Sequence, residues 1–286
     1  MINLILTTAT CLVAMVAANG THDNPLRDLG VAVKLGEQGE VIAADATKAK
    51  VTDADLGRIA ALPDLRAVKL SKQPITDAGL EKLQSLKKLK SLGLDETKIT
   101  DDGLATLDKL PALEELLLAN TQIGDAGIEH LLRLPKLKRL RLSGTKISDA
   151  GAARLATLRS LEDLDLSKTA IGNEGLAALG RLPKLVKLNL WTTRVTDAGL
   201  GSLESLHGLK WLNLDNTAVS DVGLPKLQVL VNLEFLHLGR TQISDAGLPH
   251  LTKLTKLQEL HVTHTRVTPD GVKQLQQSLP KCKILH

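Results

Sequence analysis

The sequence predicts a right-handed α/β solenoid, with a parallel sheet along its concave face and short helices on its convex side. Three observations carry that prediction. A 24-residue unit recurs without insertion, with Val51, Ile75, Ile99, Ile123, Ile147, Ile171, Val195, Val219, Ile243 and Val267 evenly spaced. Within each unit the apolar period changes from three to two. The chain has two Trp, one Phe and no Tyr in 286 residues, so leucine must build the interior.

The first segment, Met1–Ala18, is largely apolar and carries no charged side chain. It reads as a secretory signal peptide cleaved after Ala18, although no Lys or Arg precedes Arg27. Residues 19–50 follow as an N-terminal segment with a cap. Within it, Val31–Leu35, Gly36–Gly39 and Val41–Ala44 read as a hairpin whose second strand would pair with the first repeat. Cys11 lies in the apolar leader and Cys282 near the C-terminus. A mature chain would then hold one cysteine and no internal disulfide, with Cys282 serving as a small buried hydrophobe.

Nine complete units fill residues 51–266. The first half of each reads Ser/Thr-Asp-x-Gly-Leu-x-x-Leu-x-x-Leu. Apolar residues three apart mark one face of a short helix. Thr76-Asp77 and Ser148-Asp149 are expected to cap it, and the repeated glycine (Gly79, Gly103, Gly127) to form the turn into it. Pro63, Pro111, Pro135 and Pro183 fall after the helix and stop it. The second half reads Leu-x-x-Leu-x-Leu-x-x-Thr, as in Leu89, Leu92, Leu94 and Thr97. Its alternation is that of a strand with one buried face. A lone unit buries too little to offset the ordering of its own chain, so units must stack and both ends need caps. Residues 267–286 are the C-terminal cap: Pro269 replaces the usual Asp, and Gln276–Pro280 breaks the repeat.

The unit resembles the leucine-rich-repeat family, whose strand reads Leu-x-x-Leu-x-Leu-x-x-Asn/Cys-x-Leu, and the resemblance spans residues 51–286. The Thr-x-Ile-Thr/Ser-Asp-x-Gly-Leu variant is similar to bacterial extracytoplasmic repeat proteins and to the repeats of F-box adaptors. This chain departs from the family in placing Thr at 97, 121, 145, 169, 193, 217, 241 and 265, where Asn or Cys is usual. A ladder of hydroxyls bonding loop backbone is expected there.

In such a solenoid the residues flanking the two inward leucines line the concave face. All three aromatics fall in these slots in consecutive units: Trp191, Trp211 and Phe235. Asn189, Asn213, Asp215, His237, His261 and His264 surround them. Aromatic anchors with a polar surround are the usual form of a binding hot spot. Two adjacent strands place Arg139 and Arg141 opposite Asp163 and Asp165, which reads as cross-strand pairing. His237, His261 and His264 lack the further ligands that a zinc site needs, so no metal is expected.

The formal net charge is +4 with 24% charged residues, from which strong affinity for nucleic acid or a membrane surface is not expected. No nucleophile-elbow, phosphate-loop or His-Glu-x-x-His motif occurs, and no cofactor-binding motif. The expectation is a monomeric, non-enzymatic protein-binding module. It would be exported and would take a protein or cell-surface ligand on the concave face, without stable membrane insertion after signal cleavage. Two alternatives are an intracellular F-box-type adaptor in ubiquitin-dependent degradation and a structural envelope component.

Overall fold

The computed structural model describes residues 24–286. The leader-like stretch 1–18 and its processing site lie outside the described residues. Strands β1 (Ala32–Leu35) and β2 (Val41–Asp45) form the antiparallel hairpin, closed by a turn in which Gly39 takes φ 83°. Ten three-residue strands follow at 24-residue intervals. They are β3 (Ala67–Lys69), β4 (Ser91–Gly93), β5 (Glu115–Leu117), β6 (Arg139–Arg141), β7 (Asp163–Asp165), β8 (Lys187–Asn189), β9 (Trp211–Asn213), β10 (Phe235–His237), β11 (Glu259–His261) and β12 (Lys283–Leu285). All twelve form one sheet in chain order, open at both ends. From β2 onward every pairing is parallel with residue i beside i+24, as in Trp211 beside Phe235. This register stacks each position of the repeat into a row.

The core is a column of leucines. Within one unit Ile99, Leu104, Leu107, Leu110, Leu113, Leu116 and Leu118 are each at most 1% exposed. The helical halves are partly α (Asp149–Leu155, Asn173–Leu179) and partly 3₁₀ (Asp102–Lys109, Asp197–Leu203, Leu224–Val229).

Two repeated residues do something other than their local sequence suggests, and a third bonds backbone as expected. The Asp after each Ser/Thr does not cap its own helix. Its carboxylate reaches the next unit: Asp77 accepts from Thr100 N (2.9 Å) and Thr100 Oγ1 (2.6 Å), and Asp221 accepts from Ser244 N (2.7 Å) and Ser244 Oγ (2.6 Å). The repeated Gly is not there for its turn geometry. Gly127 has an ordinary helical φ of −61°. It is glycine because the Asp of the preceding unit lies where a Cβ would sit; Asp101 does this at Gly127 and Asp77 at Gly103. The threonine row does bond backbone, but within its own unit: Thr97 Oγ1 donates to Leu94 O (2.6 Å) and Thr217 Oγ1 to Leu214 O (2.6 Å). The unit-to-unit ladder is therefore aspartate, not threonine.

In the C-terminal cap the helix runs over Pro269–Ser278, with proline at its first turn and Thr268 Oγ1 accepting from Gly271 N. Gln276 Nε2 then holds Leu279 O (2.7 Å) and Cys282 O (2.9 Å), turning the chain into β12.

A candidate binding surface on the concave sheet

The strand triplets fall where the alternation placed them, so the flanking residues form rows across the concave sheet. Trp211 and Phe235, neighbours in one row, stack face to face with centroids 4.7 Å apart and planes at 5°. The Lys187 ammonium sits 4.6 Å from the Trp211 centroid. Phe235 continues to His261 at 5.2 Å, and His261 stacks on His237 at 4.4 Å. The result is one ordered ridge, Lys187–Trp211–Phe235–His261–His237. The Trp211 ring contacts both Lys187 and Phe235, so a partner meets mainly the rim of this stack.

Trp191 stands in a different row. Lys168 lies 4.5 Å from its ring centroid and Arg240 5.8 Å away, and its Nε1 is buried without a hydrogen-bond partner among the described residues. The sequence reading missed Lys168 and Arg240. They share a repeat position with Thr192 and His264 at which the backbone is left-handed, with φ between 51° and 57° for these four residues. That conformation continues the ladder past the strand, for example Lys168 N to Trp191 O at 2.7 Å. The 24-residue spacing of this position was the available signal.

The polar residues divide. Asp215 is 5% exposed and its two carboxylate oxygens take Arg240 Nε (2.9 Å) and Nη2. It holds Arg240 near Trp191 and is closed to a ligand. Asn189 Oδ1 accepts from Trp191 N (3.2 Å), Asn213 Oδ1 from Asp215 N (2.9 Å) and His237 Nδ1 from Gly239 N (3.1 Å). These three first shape their own strand ends. An Nδ1 that accepts Gly239 N–H carries no proton, so the 3.9 Å approach of Asp215 to it is not an ion pair. Burial pushes the His237 imidazole below its ordinary pKa. The Asp215 carboxylate opposes that shift, while His261 and Arg240 add to it and Glu259 opposes it. His261 Nε2 meets Glu259 Oε1 at 2.8 Å. His264 is exposed and makes no ring contact with the others.

Next to the ridge lies a charge ladder. Arg139 meets Asp163 (3.3 Å), as the sequence suggested, but its shorter partner is Glu115 on the other side (2.6 Å). Arg141 likewise reaches Asp95 (3.1 Å) more closely than Asp165 (4.0 Å). Burial raises the pKa of Asp163 despite the attraction of Lys187 and Arg139. It raises that of Asp95 despite the Ala119 N–H and Arg141. Among the described residues, no helix is long and apolar enough to cross a membrane.

The family model described as Leucine Rich repeat matches residues 133–156, 157–180 and 249–275. No curated protein matches the chain. Among solved structures, the chain is similar to an internalin from Listeria monocytogenes, with TM-score 0.52 and 20% identity over 91% of this chain and 92% of that one. It is also similar to the ectodomain of the Arabidopsis receptor kinase HAESA in complex with an N-terminally extended IDA peptide hormone, with TM-score 0.61 and 18% identity over 84% of this chain. A TDR receptor gives TM-score 0.59 and 17% identity over 86% of this chain. The chain spans 41% and 42% of the two receptor chains. Identities this low speak to the fold alone.

Proposed function

The chain is a leucine-rich-repeat protein, and from that premise we propose that it is a non-enzymatic, exported recognition module that takes a protein or cell-surface ligand on its concave face. The observation that carries this reading is the Trp211–Phe235 stack at 4.7 Å, held between Lys187 and His261 on an otherwise polar sheet. A preformed aromatic ridge loses little side-chain freedom on binding, which is how a few residues come to dominate an interface. The receptor ectodomain seen with a peptide hormone is consistent with this use of the fold. Trp191, with Lys168 and Arg240 beside it, forms the flank of the same surface. Asp215 and the acceptor atoms of Asn189, Asn213 and His237 support it from within. The leader-like segment 1–18 motivates export.

The test is capture of proteins from the source cells, in parallel with the wild type and with Trp211→Ala, followed by titration of each identified partner. The expected result is a partner whose affinity falls at least roughly thirtyfold in Trp211→Ala. It should be unchanged in Lys98→Ala, an exposed position on the edge of the solenoid away from the ridge. If no partner distinguishes the two variants, the concave ridge is not the binding surface. Intact mass of the mature protein, starting near Asn19 outside the cytoplasm, tests export separately.

A further inference from the structure

We propose that one lateral edge of the solenoid is a docking face for an anionic lipid surface. Because β3 to β12 are parallel, every segment that leads from a helix into a strand enters the sheet at the same edge. These segments are residues 61–66 and the eight that follow at 24-residue intervals, ending at 253–258. Together they hold fourteen Lys or Arg against four Asp or Glu, a net +10 in a chain whose total is +4. All fourteen cations are exposed. The opposite edge, residues 71–78 and its eight equivalents to 263–270, holds seven Lys or Arg against thirteen Asp or Glu, a net −6. The near-neutral total thus conceals two edges of opposite sign, and the composition argument against membrane-surface affinity does not survive the folding of the chain.

The basic edge is more than unbalanced composition. Lys136, Arg159, Arg181 and Lys184, in the middle of the row, have no acidic partner among the described residues, whereas Lys88, Lys90 and Lys210 are paired with Asp64, Glu114 and Glu234. At about 4.8 Å per strand the nine segments make a strip roughly 40 Å long, several Debye lengths at physiological salt. Three of the four large apolar side chains exposed among the described residues are on this edge too: Val186 (36%), Val229 (43%) and Val231 (49%). Cations interspersed with small apolar groups, and no deep groove between them, suit adsorption to anionic headgroups. Nucleic acid is the poorer fit, because single strands are gripped by stacking on aromatic rings. Trp211 and Phe235 lie on concave strands and Trp191 just beyond β8, so no aromatic lies on the basic edge.

The experiment is co-sedimentation of the full-length protein with vesicles of phosphatidylcholine alone or mixed with phosphatidylglycerol. Binding is expected only to the mixed vesicles, and is expected to be released by high salt. Lys136→Glu, Arg159→Glu, Arg181→Glu and Lys184→Glu combined should weaken it on the order of a hundredfold. The matched variant Lys98→Glu, Lys146→Glu, Arg194→Glu and Arg266→Glu changes the net charge equally on the other edge and should retain most of the binding. Circular dichroism checks both folds. If the fourfold variant does not fold, Lys136→Gln with Lys184→Gln should still give a graded loss. Equal binding to phosphatidylcholine alone, or equal loss in the two matched variants, overturns the proposal. So does retention of soluble heparin without vesicle binding, which would assign the edge to a linear polyanion.

Discussion

Asp77 of one repeat holds Thr100 of the next through both carboxylate oxygens, one on the backbone N–H and one on the hydroxyl. The same clamp recurs at Asp125–Ser148 and Asp197–Ser220. At two junctions the hydroxyl is missing. Asp101 meets only Gly124 N (2.7 Å) and Asp149 only Gly172 N (2.6 Å). Both glycines have extended backbone, φ −125° and −120°, open to any side chain. Gly124→Thr and Gly172→Ser should therefore complete the clamp and reduce the freedom of the unfolded chain, each stabilising by about 1 kcal/mol. Urea denaturation of the single variants checks this. A loss of stability in both would show that the hydroxyl bond adds nothing.

Gly103 packs against the Asp77 carboxylate, and a Cβ there would occupy its place. Gly103→Ala should cost about 2 kcal/mol or more, from steric displacement of the carboxylate and loss of its two bonds. The cost should largely vanish in an Asp77→Ala background, because the two changes act on one contact. A double-mutant cycle by chemical denaturation measures it. Additive costs would show that a Cβ at Gly103 is resisted by something other than the Asp77 carboxylate, and not by helix propensity, for which glycine-to-alanine has the opposite sign.

These two residues also show where the sequence stopped being legible. The leucine column follows from apolar residues three apart in the helical half, and the strand triplets from a two-residue period that a half-buried strand explains; the structure places both as read. The Asp and Gly of Asp-x-Gly were misassigned because Ser/Thr-Asp before an apolar run is equally the grammar of a helix N-cap. Their true partners sit in the neighbouring unit, beyond any local window. The aromatic ridge at Trp211 and Phe235 was visible for the same reason as the strands. Lys168 and Arg240 were not, since nothing local marks a Lys or Arg as left-handed. Asn189, Asn213 and His237 were counted as free surface, although an Asx-type bond to the residue two positions on is a known habit of Asn.

Cys282 is 4% exposed, and burial together with the Glu259 charge pushes its thiol up to about 11. The thiolate is the nucleophile. At pH 8 the native thiol should react with iodoacetamide on the order of a hundredfold more slowly than the same residue in urea. Mass spectrometry of the peptide containing Cys282 reads the two rates. Equal rates would mean that the C-terminal cap opens freely.

His237 makes the stability of the concave ridge depend on pH. Its imidazole is held below the ordinary value by burial, and its Nδ1 lone pair is engaged by Gly239 N–H. The native state therefore binds this proton less readily than the unfolded chain does. The sign follows from linkage: the contribution is complete above the unfolded imidazole pKa of about 6.5 and is lost as pH falls from there through the lower native value. Denaturation midpoints should decline from pH 7.5 toward pH 5, in a window above the ordinary carboxylate range. His237→Asn is the informative variant. Asn189 and Asn213 occupy the same position in the two preceding units and accept the equivalent backbone N–H, so the bond survives and the titration does not. The variant should fold, and its stability should vary less over that window than the wild type's. An unchanged pH profile in His237→Asn would assign the dependence to another group.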